Sequence, residues 1–154
     1  MRLVDFINKS AIIDDLKSVR KKEVLSELLD VLVKLKKITP QKKSAILKQL
    51  LEREKLGSTA VGQNFAIPHT KTKLVSKVSI CIGRSKKGVD FDSLDGEPVY
   101  IFFLFIVPEK EFGLHLKLLA ECARMLRDKY FRKQLLEAKN RNEMYEIIVS
   151  GSKG

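Results

Sequence analysis

The sequence predicts an α/β fold: a single-domain three-layer α/β/α sandwich with a mixed central sheet and helices on both faces. Three observations carry this expectation. The run Val99 to Val107 is continuously apolar and rich in β-branched and aromatic side chains, as a strand covered on both faces would be. Residues Lys77 to Ile82 alternate like a second strand. Amphipathic helical repeats stand before and after these strands, so helices are available to cover either face.

The elements follow in order. Residues 3 to 16 hold short apolar pairs, Ile12-Ile13 among them, broken by Asp14-Asp15; a short strand or an irregular entry is expected. From Ser18 to Lys37, Val24, Leu25, Leu28, Leu29, Leu32 and Leu35 recur at three- and four-residue steps, which predicts a helix. Thr39-Pro40 opens a second helix. Thr39 can accept a free N–H there, and Pro40 sits where its missing N–H costs nothing. Ala45, Ile46, Leu47, Leu50 and Leu51 form its expected inner stripe, and Gly57 is a favourable stop. After the alternating strand, residues 83 to 98 are rich in Gly, Asp and Ser and contain Asp95-Gly96, so a loop is expected. Pro108 ends the apolar strand. A third helix is predicted from Gly113 to Asp128, with Leu118, Leu119, Cys122, Met125 and Leu126 inward. Tyr130 to Ala138 and Asn142 to Val149 read as two closing helices, and residues 150 to 154 as a frayed tail.

The totals narrow the function classes. A chain of 154 residues fits one domain, spanning 1–154, with one sizeable core. Apolar residues make up 44% and charged residues 32%, which suits a globular protein rather than a disordered one. The longest apolar run is too short to cross a bilayer as a helix, and Asp5 comes too early for a signal peptide, so a cytoplasmic protein that is not membrane-embedded is expected. Cys81 and Cys122 each sit in an apolar pattern and read as buried free thiols; no closely spaced ligand set suggests a metal. Lys and Arg number 30 against 19 acids, a formal charge of +11. The basic residues interleave with Glu, as in Glu52-Arg53-Glu54-Lys55, and no aromatic residues alternate with them. A solvated, lysine-rich surface is the expectation, and a nucleic-acid-binding module stands only as a remote alternative.

One stretch organises the chemistry: Gly57-Ser58-Thr59-Ala60-Val61-Gly62-Gln63-Asn64-Phe65-Ala66-Ile67-Pro68-His69-Thr70-Lys71. Pro68 fixes its own φ and biases Ile67 towards extended geometry, so His69 is carried by stiff backbone. His115 is the other histidine. The Gly57/Gly62 spacing imitates a phosphate loop, but Gln63-Asn64 stand where such a loop needs Lys and Ser/Thr. No Gly-x-Ser-x-Gly is present, and Asp90/Asp92 lie in turn-rich sequence. Arg53, the Ser58 and Thr59 hydroxyls, His69 and His115 remain. Spacing alone favours a structural histidine over an active one. The grouping nevertheless suits phosphoryl transfer, which needs a nucleophile in line and donors around the equatorial oxygens.

The run Leu51-Glu52-Arg53-Glu54-Lys55-Leu56-Gly57-Ser58-Thr59, followed by Ala66-Ile67-Pro68-His69, resembles the IIA domain (type 2) of the phosphoenolpyruvate-dependent sugar phosphotransferase system. The fructose/mannitol class is meant, which includes the nitrogen-regulatory IIA proteins. Gly88-Val89-Asp90-Phe91, Leu94-Asp95-Gly96-Glu97-Pro98-Val99 and Val107-Pro108 with His115-Leu116 extend the likeness over nearly the whole chain. The resemblance implies a phosphotransferase component in which His69 accepts a phosphoryl group from the phosphocarrier HPr. His115 matches the family's second active-site histidine and Arg53 its phosphate-site arginine; Ser58 and Thr59 stand as phosphate-binding candidates through their hydroxyls and backbone N–H groups alone. It implies no metal or cofactor. The onward partner is a separate IIB domain in sugar uptake, or a regulated target protein; both readings stay open. Two departures stand out: Gly62-Gln63-Asn64-Phe65 replaces the usual Gly-Asn-Gly-Ile, and Thr70 replaces a small residue, which predicts a more restricted loop after His69.

Overall fold

The computed structural model describes residues 2–153. Its sheet is built from β1 (Ile12–Ile13), β2 (Phe65–Ala66), β3 (His69–Thr72), β4 (Ser79–Val89) and β5 (Val99–Pro108). Helices α1 (Lys21–Lys34) and α2 (Pro40–Lys55) precede most of it, and α3 (Phe112–Arg127), α4 (Lys129–Glu137) and α5 (Arg141–Lys153) follow. The order across the sheet is β1, β4, β5, then β2 and β3 one after the other on the far side of β5. The β4/β5 pair is antiparallel and the other pairs are parallel, so the sheet is mixed.

Side-chain alternation along β5 explains the layering. Ile101, Phe103, Phe105 and Val107 enter one core with Leu118, Cys122, Leu126, Leu135 and Ile148 from α3, α4 and α5. Phe102, Leu104 and Ile106 enter the other, with Leu25, Leu28, Leu29, Ile46 and Leu50 from α1 and α2. A strand with both faces occupied needs an unbroken apolar sequence, which is what the run supplies. The two cysteines fall on opposite faces of the sheet, Cys81 with α1 and α2, Cys122 with α3 to α5. Both are free, and burial pushes the Cys81 thiol up to about 12 and the Cys122 thiol well above its ordinary value.

The structure corrects the sequence reading at several points. The expected frayed tail is helical as far as Lys153: Ser152 is buried, and its hydroxyl donates to the Glu121 carboxylate at 2.8 Å. Gly154 lies outside the described residues. The expected loop over residues 83 to 98 begins only after Val89, because β4 continues through Arg84 and Ser85, both buried. Arg84 is tolerated there because its guanidinium donates to the backbone carbonyls of Asp14, Leu135 and Ala138 at 2.9, 2.8 and 2.6 Å, two of them at the end of α4. The Thr39 side chain makes no capping bond, and Ala45 lies on the exposed side of α2.

Candidate functional site

Strands β2 and β3 form one edge strand interrupted at Ile67-Pro68. Pro68 falls at the break between them, where its missing N–H leaves one bond out of the ladder with β5. The Pro68 carbonyl still accepts from Phe105 N–H at 3.0 Å. His69 opens β3 opposite Phe105. Its Nδ1 lies 2.8 Å from the Ile67 carbonyl oxygen. A carbonyl can only accept, so Nδ1 carries the hydrogen and Nε2 keeps a lone pair. Thr70 and Thr72 are buried while Lys71 is exposed, so the polar residues after His69 belong to a strand, not to the expected restricted loop.

The strand is set by the turn before it. Gln63 and Asn64 both have left-handed backbone, with φ of 62° and 66°, and Gly62 bridges Phe65. This is the geometry of a tight hairpin turn. Asn64 Nδ2 donates to the Pro98 carbonyl at 2.7 Å, and the Asn64 carbonyl accepts from Tyr100 N–H at 2.9 Å. The departure at Gln63 therefore falls on an exposed turn residue at the entry to β2.

Helix α3 brings His115 to the same place. The two imidazole centroids stand 5.2 Å apart, with their planes inclined by 58°. His115 is only 5% exposed, and among the described residues its Nδ1 has no hydrogen-bond partner. Burial, then the neighbouring His69 and Lys71, push its pKa down to about 4. His69 is half-buried and also lowered. Burial is the main cause, the Ile67 carbonyl opposes it, Arg53 adds to it, Glu54 opposes it and Lys71 adds to it. Both rings are therefore neutral near pH 7.

Arg53 lies in the last turn of α2 and donates from Nη1 to the Gly57 carbonyl at 2.9 Å. It is near enough for its charge to act on His69. Ser58 Oγ accepts from Ala60 N–H at 3.0 Å and donates to the Phe91 carbonyl at 3.4 Å. Thr59 gives its N–H and its hydroxyl to the two oxygens of Glu54, at 3.1 and 2.6 Å. The two hydroxyls singled out from the sequence are thus engaged in shaping the loop. Sequence reasoning passed over Glu54 and Lys71. The available signal for Glu54 was an acid beside Arg53 at the carboxyl end of a helix, where a negative charge is electrostatically misplaced.

Four large apolar side chains are exposed on, or bonded through backbone to, the segments that carry the site residues. Leu56, Val61, Leu94 and Leu116 are 86%, 60%, 68% and 53% exposed. Leu116 follows His115, Leu56 precedes the Gly57 carbonyl that holds Arg53, and Leu94 N–H donates to the Ala60 carbonyl beside Val61 at 2.9 Å. A groove of about 680 Å³ between α1 and α2, lined by Lys21, Lys48, Lys55, Glu54 and Ser58 among others, adjoins the same loop.

The family model described as phosphoenolpyruvate-dependent sugar phosphotransferase system, EIIA 2, matches residues 5–151. The chain belongs to this EIIA family. Among similar proteins is a nitrogen regulatory protein of Bradyrhizobium diazoefficiens, 38% identical over 149 residues, with 97% of this chain and 95% of that protein covered. Another is the fructose-specific EIIABC component of Bacillus subtilis, 36% identical over 148 residues; these cover 96% of this chain but only 23% of that longer protein. Among solved structures, the nitrogen regulatory protein IIA-Ntr from Neisseria meningitidis superposes with a TM-score of 0.86 at 30% identity, covering 95% of this chain and 98% of that one. The mannitol IIA of Escherichia coli shares the fold with a TM-score of 0.74 at 21% identity, covering 92% and 98%. The α/β sandwich expected from the sequence is thus the EIIA fold, and a phosphocarrier role fits the family. Among the described residues no helix is long and apolar enough to cross a membrane.

Proposed function

We propose that the protein is a histidine phosphocarrier in which His69 Nε2 accepts a phosphoryl group from a phosphorylated HPr-type donor. The observation that carries this reading is the pinned tautomer. Nδ1–H is held by the Ile67 carbonyl, and a neutral ring leaves the Nε2 lone pair free to attack. As the new N–P bond forms, the N–P bond in the donor breaks and its imidazole departs with the electron pair. The Nδ1 proton stays in place, and the Ile67 carbonyl stabilises the positive charge that develops on the ring. Arg53 supplies a cation for the phosphoryl oxygens, and His115, neutral and 5.2 Å away, a hydrogen-bonding neighbour. Ser58 and Thr59 contribute hydroxyls only by leaving their present partners. No metal or cofactor takes part.

The exposed Leu56, Val61, Leu94 and Leu116 offer a donor or acceptor protein apolar contacts beside the segments that carry Arg53 and His115. The regulatory role is favoured by the similarity to a nitrogen regulatory protein along nearly the full length of both chains. There, phosphorylation adds nearly two negative charges and changes which partner docks. Sugar uptake, with a separate IIB domain as acceptor, is the second reading, favoured by the similarity to fructose-specific components. Either role belongs in the cytoplasm, where phosphoenolpyruvate is available.

The experiment combines the protein with phosphoenolpyruvate, enzyme I and HPr and reads the product by mass spectrometry. One acid-labile phosphoryl group on His69, absent from His69→Ala, is expected; label at another residue rejects the assignment. Pull-downs with the free and phosphorylated forms then separate the two roles. A target captured by one form alone supports regulation, and transfer to a IIB domain supports uptake.

A further inference from the structure

We propose that Glu54 is a positioning residue for this transfer: its carboxylate fixes the loop from Gly57 to Thr59 and stands as a resident negative charge that keeps phospho-His69 labile. The inference rests on His69 as the acceptor. Its starting point is the cost of the residue. Glu54 is 5% exposed, in the last turn of α2, so its carboxylate is both desolvated and set against the negative end of a helix. What it receives in return is local: Thr59 N–H at 3.1 Å and the Thr59 hydroxyl at 2.6 Å. Both are neutral donors, which an uncharged acceptor would satisfy at less desolvation cost.

The charge has a use beside His69. Arg53 and Lys71 both bear on that imidazole as cations, and Glu54 bears on it as the opposing anion. With the cations alone, a phosphoryl dianion on Nε2 would be held firmly. A carrier must also release it, so over-stabilising the loaded state would impede the second half of its task. Glu54 offsets part of the cationic pull. It also occupies both Thr59 donors, which would otherwise be free to bind the phosphoryl oxygens.

The test is Glu54→Gln, which keeps an acceptor for Thr59 and removes the charge. With purified phospho-HPr as donor, the equilibrium should shift towards the phosphorylated carrier by roughly three- to tenfold. The loaded form should hydrolyse more slowly by a similar factor, and NMR titration should show His69 binding its proton less readily than in wild type. A folded Glu54→Gln protein with wild-type equilibrium and wild-type His69 titration overturns the inference. Should Glu54→Gln fail to fold, Glu54→Asp keeps the charge on a shorter stem. Transfer should then slow while the equilibrium holds within about twofold; a shifted equilibrium overturns the inference. Wild-type protein that takes no label on His69 defeats the phosphocarrier reading itself, which is a different result from a labelled wild type matched by Glu54→Gln.

Discussion

Acidification from about pH 7 to about pH 5 should weaken the fold through His115, and His115→Phe should remove most of that weakening. The ring is 5% exposed, and its pKa is pushed down from 6.5 to about 4, by burial first and by His69 and Lys71 next. In the unfolded chain the same histidine protonates near its ordinary value. Between the two pKa values the unfolded state binds a proton that the folded state refuses, so stability is intact above 6.5 and is lost progressively as the pH falls towards 4. Linkage over the interval gives about 2 kcal/mol at pH 5. His69 and Lys71 both reach solvent, and screening of their share brings the figure to about 1–2 kcal/mol. Phe fills similar space without titrating. The assay is urea denaturation of both proteins at the two pH values, read as the difference of differences, in which the other titrating groups cancel. A His115→Phe protein that loses as much stability on acidification as wild type refutes the reasoning.

Phosphoryl acceptance should itself fall with acid. His69 has a lowered pKa, so its reactive neutral form persists below pH 6.5 and disappears as the pH falls through the folded value; single-turnover labelling against pH checks this. Arg84→Met should cost about 3 kcal/mol in urea titrations, because it strips a buried guanidinium from the carbonyls of Asp14, Leu135 and Ala138. Gln63→Asn should raise Tm slightly, by about 0.5–1 kcal/mol of stability, since Asn tolerates left-handed backbone better than Gln. Leu56→Gln, at a position 86% exposed, should raise the KM for phospho-HPr several-fold while leaving Tm unmoved; an unchanged KM removes Leu56 from the docking surface.

Where one physical rule dominated, the sequence was legible. The stripe of α1 and the doubly buried β5 follow from periodicity alone, because apolar burial on one helical side or on both strand faces admits few other patterns. Reading failed where polar residues are buried with particular partners. Thr70 and Thr72 face inward from an edge strand, and Arg84 and Ser85 extend β4, yet composition gave each pair a turn or surface character. At the C-terminus Ser150-Gly151-Ser152 reads as a chain end, whereas Gly151 is packed so tightly on Phe131 that a Cβ would come within 2.6 Å of the ring. Of the candidate site, Pro68-His69 drew notice through backbone stiffness and the remainder through family likeness. The nearness of His69 to His115 depends on two elements 46 positions apart in sequence, which no local pattern encodes. Glu54 was missed because a glutamate in a lysine-rich helix looks like an exposed partner for its neighbours.

The interrupted strand that carries His69 is also the outer border of the sheet, the place where a further strand from another molecule would add. The break at Ile67-Pro68 interrupts the line such an intruder would follow, and the exposed Lys71 sets a charge in its path. The residues that hold the imidazole thus also discourage self-association, and the reactive border can stay uncovered for a visiting partner without becoming a seed for aggregates.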